Sequence, residues 1–208
     1  MVHESAIPFL PKVVSLTTLR NAVTRCKGCP LYLGATQAVF GEGPKDSRLL
    51  LIGEQPGNDE DIQGRPFVGP AGKLLDKALA DAGIPRADVY VTNAVKHFKF
   101  EERGKRRIHQ KPSTGEVIAC QPWLEAEVRT IKPTVLVCLG ATAARTVFGS
   151  GFQLLKNRGR AFKHEWAPHA VATLHPSAIL RIQEPDDRRE EYSHLVQDLK
   201  AAGRLAVA

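Results

Sequence analysis

The chain lacks any apolar stretch long enough to span a membrane, which excludes an integral membrane helix. Its N-terminus, MVHESAIPFLPK, has no basic region leading into an apolar one. A secretory signal is therefore not expected, and the reading is cytoplasmic with no membrane partner. Internal repeats, low-complexity tracts and clear linkers are also missing from the 208 residues. A single monomeric domain over 1–208 is expected. Neither a Walker loop nor a GxGxxG follows the first apolar run, which removes the common phosphate-cradling folds. Cysteine is limited to four residues, and a reducing compartment makes disulfides unexpected. Acidic residues are outnumbered, 22 against 29 Lys and Arg. The resulting +7 fits a protein that binds a polyanion.

The chain is organised around RLLLIGEQPGNDED, residues Arg48 to Asp61. Leu49 to Ile52 is an unbroken apolar run, the pattern of a strand buried on both faces in a parallel sheet. It breaks at Gly53-Glu54-Gln55-Pro56-Gly57, where Gly53 and Gly57 permit close backbone approach and Pro56 fixes a turn. A carboxylate and an amide thus stand at the carboxyl end of a buried strand, the edge where open α/β sheets bind ligands. Further strands are expected at Val89–Asn93, Thr134–Gly140 and His169–Leu174. Helices are expected over 15–25, capped by Ser15, and over 71–82, 115–131, 141–148 and 185–199. Residues 63–69 read as an irregular loop. The segment Lys96 to Lys111 shows neither period, and it carries seven Lys and Arg against two Glu. The predicted architecture is a three-layer α/β/α sandwich on a central, mainly parallel four-stranded sheet. Three of its strands end in GEQPG, Asn93 and His175-Pro176-Ser177, so one rim gathers a carboxylate, an amide, an imidazole and a hydroxyl beside a basic loop.

Together these motifs resemble the uracil-DNA glycosylase superfamily. Gly53-Glu54-x-Pro56-Gly57 with Glu60-Asp61, Arg65-Pro66-Phe67-Val68-Gly69, Thr92-Asn93 and His175-Pro176-Ser177 are similar to its iron–sulfur branch, family 4. Gln55 stands where that branch has a small residue, and Lys105-Arg106-Arg107-Ile108-His109 is inserted. Both departures resemble the UdgX group, whose members become covalently attached to uracil-containing DNA. The resemblance implies a partner, uracil-containing DNA, single-stranded or double-stranded. It implies base-excision chemistry on a flipped uracil. In that reading Phe67 stacks on the base, and Gly53, Gln55 and Gly57 line its pocket. Asn93 accepts from N3–H and donates to O4, while His175 donates to O2. Lys105, Arg106, Arg107, Ser177 and Arg181 face DNA, with Leu180 as a wedge. His109 attacks the sugar C1′, kept neutral by its basic neighbours, and Glu54 orients it, accepts its proton or stabilises the sugar cation. The alternatives are an ordinary turning-over family 4 glycosylase with His109 on phosphate, or a non-catalytic DNA-damage-binding module.

The close pair Cys26-x-x-Cys29, with Cys120 and Cys138, supplies four thiolates, the number that a [4Fe–4S] cluster needs. The resemblance to the iron–sulfur branch favours the cluster over zinc. The alternative is a pair of buried free cysteines, of which Cys138 inside an apolar strand is the more natural.

Overall fold

The apolar runs become strands and the amphipathic stretches helices in the computed structural model, which describes residues 5–207. The first four residues of the N-terminal stretch discussed above, and residue 208, lie outside the described residues. The strands are β1 (Leu49–Gly53), β2 (Val89–Asn93), β3 (Phe100–Arg103), β4 (Arg106–His109), β5 (Val135–Leu139), β6 (Ala161–His164) and β7 (Ala167–Thr173). The α-helices are α1 (Leu16–Val23), α2 (Asn58–Gln63), α3 (Pro70–Asp81), α4 (Thr114–Ile131), α5 (Gly140–Phe148), α6 (Leu154–Asn157), α7 (Pro176–Leu180) and α8 (Pro185–Val207). The main sheet has the order β2-β1-β5-β7-β6. β1 lies parallel to β2 on one side and to β5 on the other, and β7 continues parallel to β5.

Successive strand residues face opposite layers, so each central strand feeds two cores. Leu49, Leu51, Val89, Val91, Val135 and Val137 pack with Leu75 and Leu79 of α3 and Leu195 and Leu199 of α8. Leu50, Ile52, Tyr90 and Leu136 pack on the other side with Leu124 and Val128 of α4 and Ala143 of α5. Truncating one of these leucines to alanine would cost about 2–5 kcal/mol. A third cluster joins the N-terminal segment to α4 through Leu19, Val23, Phe40 and Trp123. Ser15 caps α1 as expected, its hydroxyl accepting from the Thr18 N–H.

Two expectations need correction. The sheet has five strands, the fifth being β6, which runs antiparallel to β7. β6 is an edge strand whose residues alternate between exposed and half-buried, so it never shows the apolar run that marks the central strands. The Lys96–Lys111 segment is also not shapeless. It contains the antiparallel hairpin β3-β4, paired from Phe100 with His109 to Arg103 with Arg106. A two-residue loop at Gly104-Lys105 closes it, with Gly104 at φ 60°. A largely exposed ribbon needs no hydrophobic alternation, which is why the period was silent. The short helices α2, α6 and α7 also went unread.

The parallel strands end together at Gly53, Asn93, Leu139 and Thr173. The chain order turns back between β1 and β5, which places the crevice expected of an open α/β sheet at those ends. Among the described residues, no helix is long and apolar enough to cross a membrane.

Candidate active site

A small cavity of about 100 Å³ opens at this rim, lined by Gln55, Gly57, Phe67, Asn93, His109, His175 and Ser177 among others. A larger hollow of about 720 Å³ lies at the opposite, amino ends of β1 and β2 and carries none of the expected residues. The rim cavity is built by close approach. A Cβ on Gly53 would sit 2.3 Å from Asn93 Oδ1 and 2.7 Å from Phe67 Cζ, so only glycine lets the three meet. Phe67 holds φ at 57°, a left-handed conformation that a bulky residue adopts only when its surroundings impose it. Its ring lies 6.0 Å from that of His175 at 27°. Glu60 fastens the flanking loops, accepting from the Gly57 N–H at 3.0 Å and the Gly69 N–H at 2.9 Å. Asn93 is 3% exposed, yet among the described residues its side-chain amide has no hydrogen-bond partner. It is left with both donor and acceptor capacity.

His175 caps α7. Its Nδ1 accepts from the Ser177 N–H at 3.1 Å, with the Ser177 hydroxyl 2.8 Å away. An accepting Nδ1 puts the proton of the neutral ring on Nε2. Burial, then the charges of Arg181 and His109, push this imidazole down to about 4, so at neutral pH it is an uncharged donor. Glu54 accepts from the Thr142 hydroxyl across the β1–β5 crevice.

His109 ends β4 and hangs over the rim with its side chain 47% exposed. Its Nε2 lies 3.6 Å from Glu54 Oε1 and 2.9 Å from Gln55 Nε2. The Gln55 amide is oriented by the hairpin's base: Oε1 accepts from Lys99 N–H, and Nε2 donates to the carbonyls of Lys99 and Gln110. Its two amide protons thus face three acceptors, and since an amide nitrogen only donates, a bond to His109 requires the tautomer whose Nε2 carries the lone pair. The imidazole sits below its ordinary range, chiefly through partial burial, with Glu54 opposing and Arg181 assisting the depression. Lys105, Arg106 and Arg107, expected to keep it neutral, are not the cause. Arg107 is spent elsewhere. It pairs with buried Asp61 at 2.6 Å, donates to Asn58 and stacks over Phe100 and Phe98. Its side chain is only 20% exposed, and these partners tie the hairpin to Asp61 and Asn58. Lys105, Arg106, Leu180 and Arg181 are exposed, as their expected DNA contacts require. Of the seven cations in the segment, Lys96 and Lys99 are also paired, to Glu127 and Glu116.

Three cysteines gather and one does not. Cys26, Cys29 and Cys120 share the buried cluster beneath the N-terminal segment. Each sulfur accepts an N–H: Cys26 from the Trp123 indole at 3.1 Å, Cys120 from Lys96 at 3.2 Å, and Cys29 from Leu31. Such bonds suit cluster-bound thiolates. Without one, burial holds the Cys120 thiol up to about 12. Cys138 lies in the other core, on β5, where burial alone raises its thiol. Cys138 therefore does not share the buried cluster of the other three. Among the described residues, no group of three or more His, Cys, Asp or Glu is drawn together around a single ion. A residue that sequence reasoning missed is His97. It is buried, its ring has no hydrogen-bond partner among the described residues, and burial lowers it to about 4.

An amide with both capacities free, a neutral imidazole donor and an aromatic ring meet on one rim of an α/β protein, a set that can stack on and hydrogen-bond a planar heterocycle. A sequence profile described as the Uracil DNA glycosylase superfamily matches residues 40–200. A type-4 uracil-DNA glycosylase of Thermotoga maritima is 40% identical over 168 residues, 80% of this chain and 84% of that protein. One of Archaeoglobus fulgidus is 34% identical over 198 residues, 92% of this chain and 93% of that protein. The chain belongs to the uracil-DNA glycosylase superfamily.

Proposed function

We propose that this protein excises uracil from DNA and then retains the DNA covalently through His109. The observation that carries the covalent step is the lone pair of His109 Nε2, held at the lip of the Asn93 cavity between Gln55 and Glu54. The flipped uracil lies on Phe67. Asn93 accepts from its N3–H and donates to O4, the pattern that cytosine lacks. His175 Nε2–H stabilises O2 as the C1′–N1 bond breaks and its electron pair leaves with the base. Glu54 faces the positive sugar. His109 Nε2 then bonds to C1′, its Nδ1 proton passes to solvent, and the uracil anion takes up a proton. Leu180 opens the stack and Lys105, Arg106 and Arg181 meet the backbone, in single strands and in duplexes. Superfamily membership supports the excision. A second reading, ordinary turnover, is favoured by the type-4 relatives and by the exposure of His109, which leaves water a route to C1′. Denaturing gels of protein mixed with uracil-containing single-stranded DNA separate the two. A shifted, heat-stable band is expected; alkali-labile DNA without a shift would mean turnover.

We further infer that Cys26, Cys29, Cys120 and His97 hold a [4Fe–4S] cluster. A cluster spreads its ligands wider than one ion does, and a neutral, buried imidazole suits the fourth position. When bound, it would supply a covalent tie between the N-terminal segment and α4. Cys138→Ser should leave iron at about four per chain, whereas Cys26→Ser should lose it and lower the melting temperature. Iron lost from both would restore Cys138 as a ligand.

A further inference from the structure

Beneath Asn93 lies an ion pair that neither base reading nor sugar capture uses. Lys96 and Glu127 are both 0% exposed. Lys96 turns back along β2, donating to Thr92 Oγ1 at 2.7 Å and to the Asn93 carbonyl at 2.8 Å, and it pairs with Glu127 of α4. Glu127 also accepts from the Tyr90 hydroxyl and the Gly41 N–H, each at 2.9 Å, and from the Thr92 hydroxyl. Every polar atom of the group is satisfied. Such a pair is weak evidence for stability, since apolar residues of similar volume often serve as well or better. Its location says more. The Ala94 and Val95 N–H groups donate to the Gly53 and Glu54 carbonyls, and the Lys96 N–H donates to Cys120 Sγ. The turn 93–96 is thus stitched to the GEQPG motif on one side and to the cysteine group on the other. The lysine ammonium holds the one peptide in that turn that belongs to Asn93.

We propose that Lys96 and Glu127 are positioning residues for uracil selection, fixing the peptide plane of Asn93 so that its amide faces the cavity in the register that matches a uracil edge. This rests on the reading of Asn93 as the base reader. A shift of about 1 Å in such a group can cost on the order of a hundredfold.

The test uses two single-stranded oligonucleotides. One carries 2′-fluoro-2′-deoxyuridine, whose fluorine slows bond cleavage; the other carries a tetrahydrofuran abasic analogue that has no base to read. Wild-type protein should prefer the first. The double variant Lys96→Met with Glu127→Gln removes both charges together, leaving no stranded ion. It should lose about tenfold in affinity for the fluorouridine strand while its affinity for the abasic strand stays within about twofold. Thr92→Val, which removes only the bridging hydroxyl, should move the same ratio less and serves if the double variant does not fold. An unchanged ratio in a folded variant, or an equal loss on both strands, overturns the proposal. Absence of a uracil preference in the wild type overturns the functional reading itself, and this inference with it.

Discussion

The protein aims two neutral imidazoles at one cavity and places them by opposite means. His175 follows a central strand of the main sheet, and the Ser177 N–H at the start of α7 donates to its Nδ1. His109 sits on a ribbon outside the main sheet, and side chains reaching across hold it: Gln55 to its ring, Phe98 beside it, and Arg107 to Asp61. The first is fixed by the fold, the second by an attachment to the fold. A group that must stabilise charge gains from rigidity. On the proposed reading His109 must replace water at C1′, which needs room to travel, and about half its side chain is free. The two regions should therefore fail differently.

The sharpest break is His109→Ala. The heat-stable adduct with uracil DNA should vanish completely while DNA binding persists. Released uracil should appear, because Glu54, Asn93 and His175 still activate the leaving base. Peptide mass spectrometry of the wild-type adduct should place the sugar on His109, and a link to any other residue would sink the capture mechanism. His175→Ala should instead slow bond cleavage by about 10²–10³-fold, the loss typical of one oxyanion-type donor. Single-turnover kinetics would show it, with whatever adduct forms still on His109.

Acid should separate the pair more gently. Only neutral imidazole is a nucleophile, and both rings are depressed below their ordinary range, His175 to about 4. Adduct formation should stay flat from pH 8 to about 6.5, the unperturbed value, and decline only below it as His109 gains its proton. A decline beginning above pH 7 would mean that His109 is raised, with Glu54 outweighing burial. The smallest effect concerns salt. Neutralising Lys105 or Arg106 should each flatten the log–log salt slope of binding by about one unit. Arg107→Gln should change it less, since that charge is already committed to Asp61, yet it should slow capture by loosening the ribbon.

What the sequence made legible follows from what periodicity can see. β1, β2 and β5 are buried on both faces, so each shows as an apolar run with its end marked by a polar residue. Glu54, Asn93 and His175 were readable because parallel strands bring such ends to one rim. β6 and the β3-β4 ribbon were not, because half-exposed strands carry no run; the Gly104 turn was the one available hint. Charge counting could not show that Lys96 and Arg107 are paired, since a sequence lists cations without their partners. Counting also grouped Cys138 with three cysteines that lie in another buried cluster. Four thiols matched a stoichiometry, but the alternation of β5 decides which core a side chain enters.

The ribbon closes on itself at its base, where the Gln110 N–H meets the Lys99 carbonyl, and it shares no rung with the main sheet. Its ties to the rest of the chain are side-chain ones, Arg107 to Asp61 and Gln55 to Lys99, His109 and Gln110. On the proposed reading, the fate of the DNA is decided on a segment that the main sheet does not need for its own pairing.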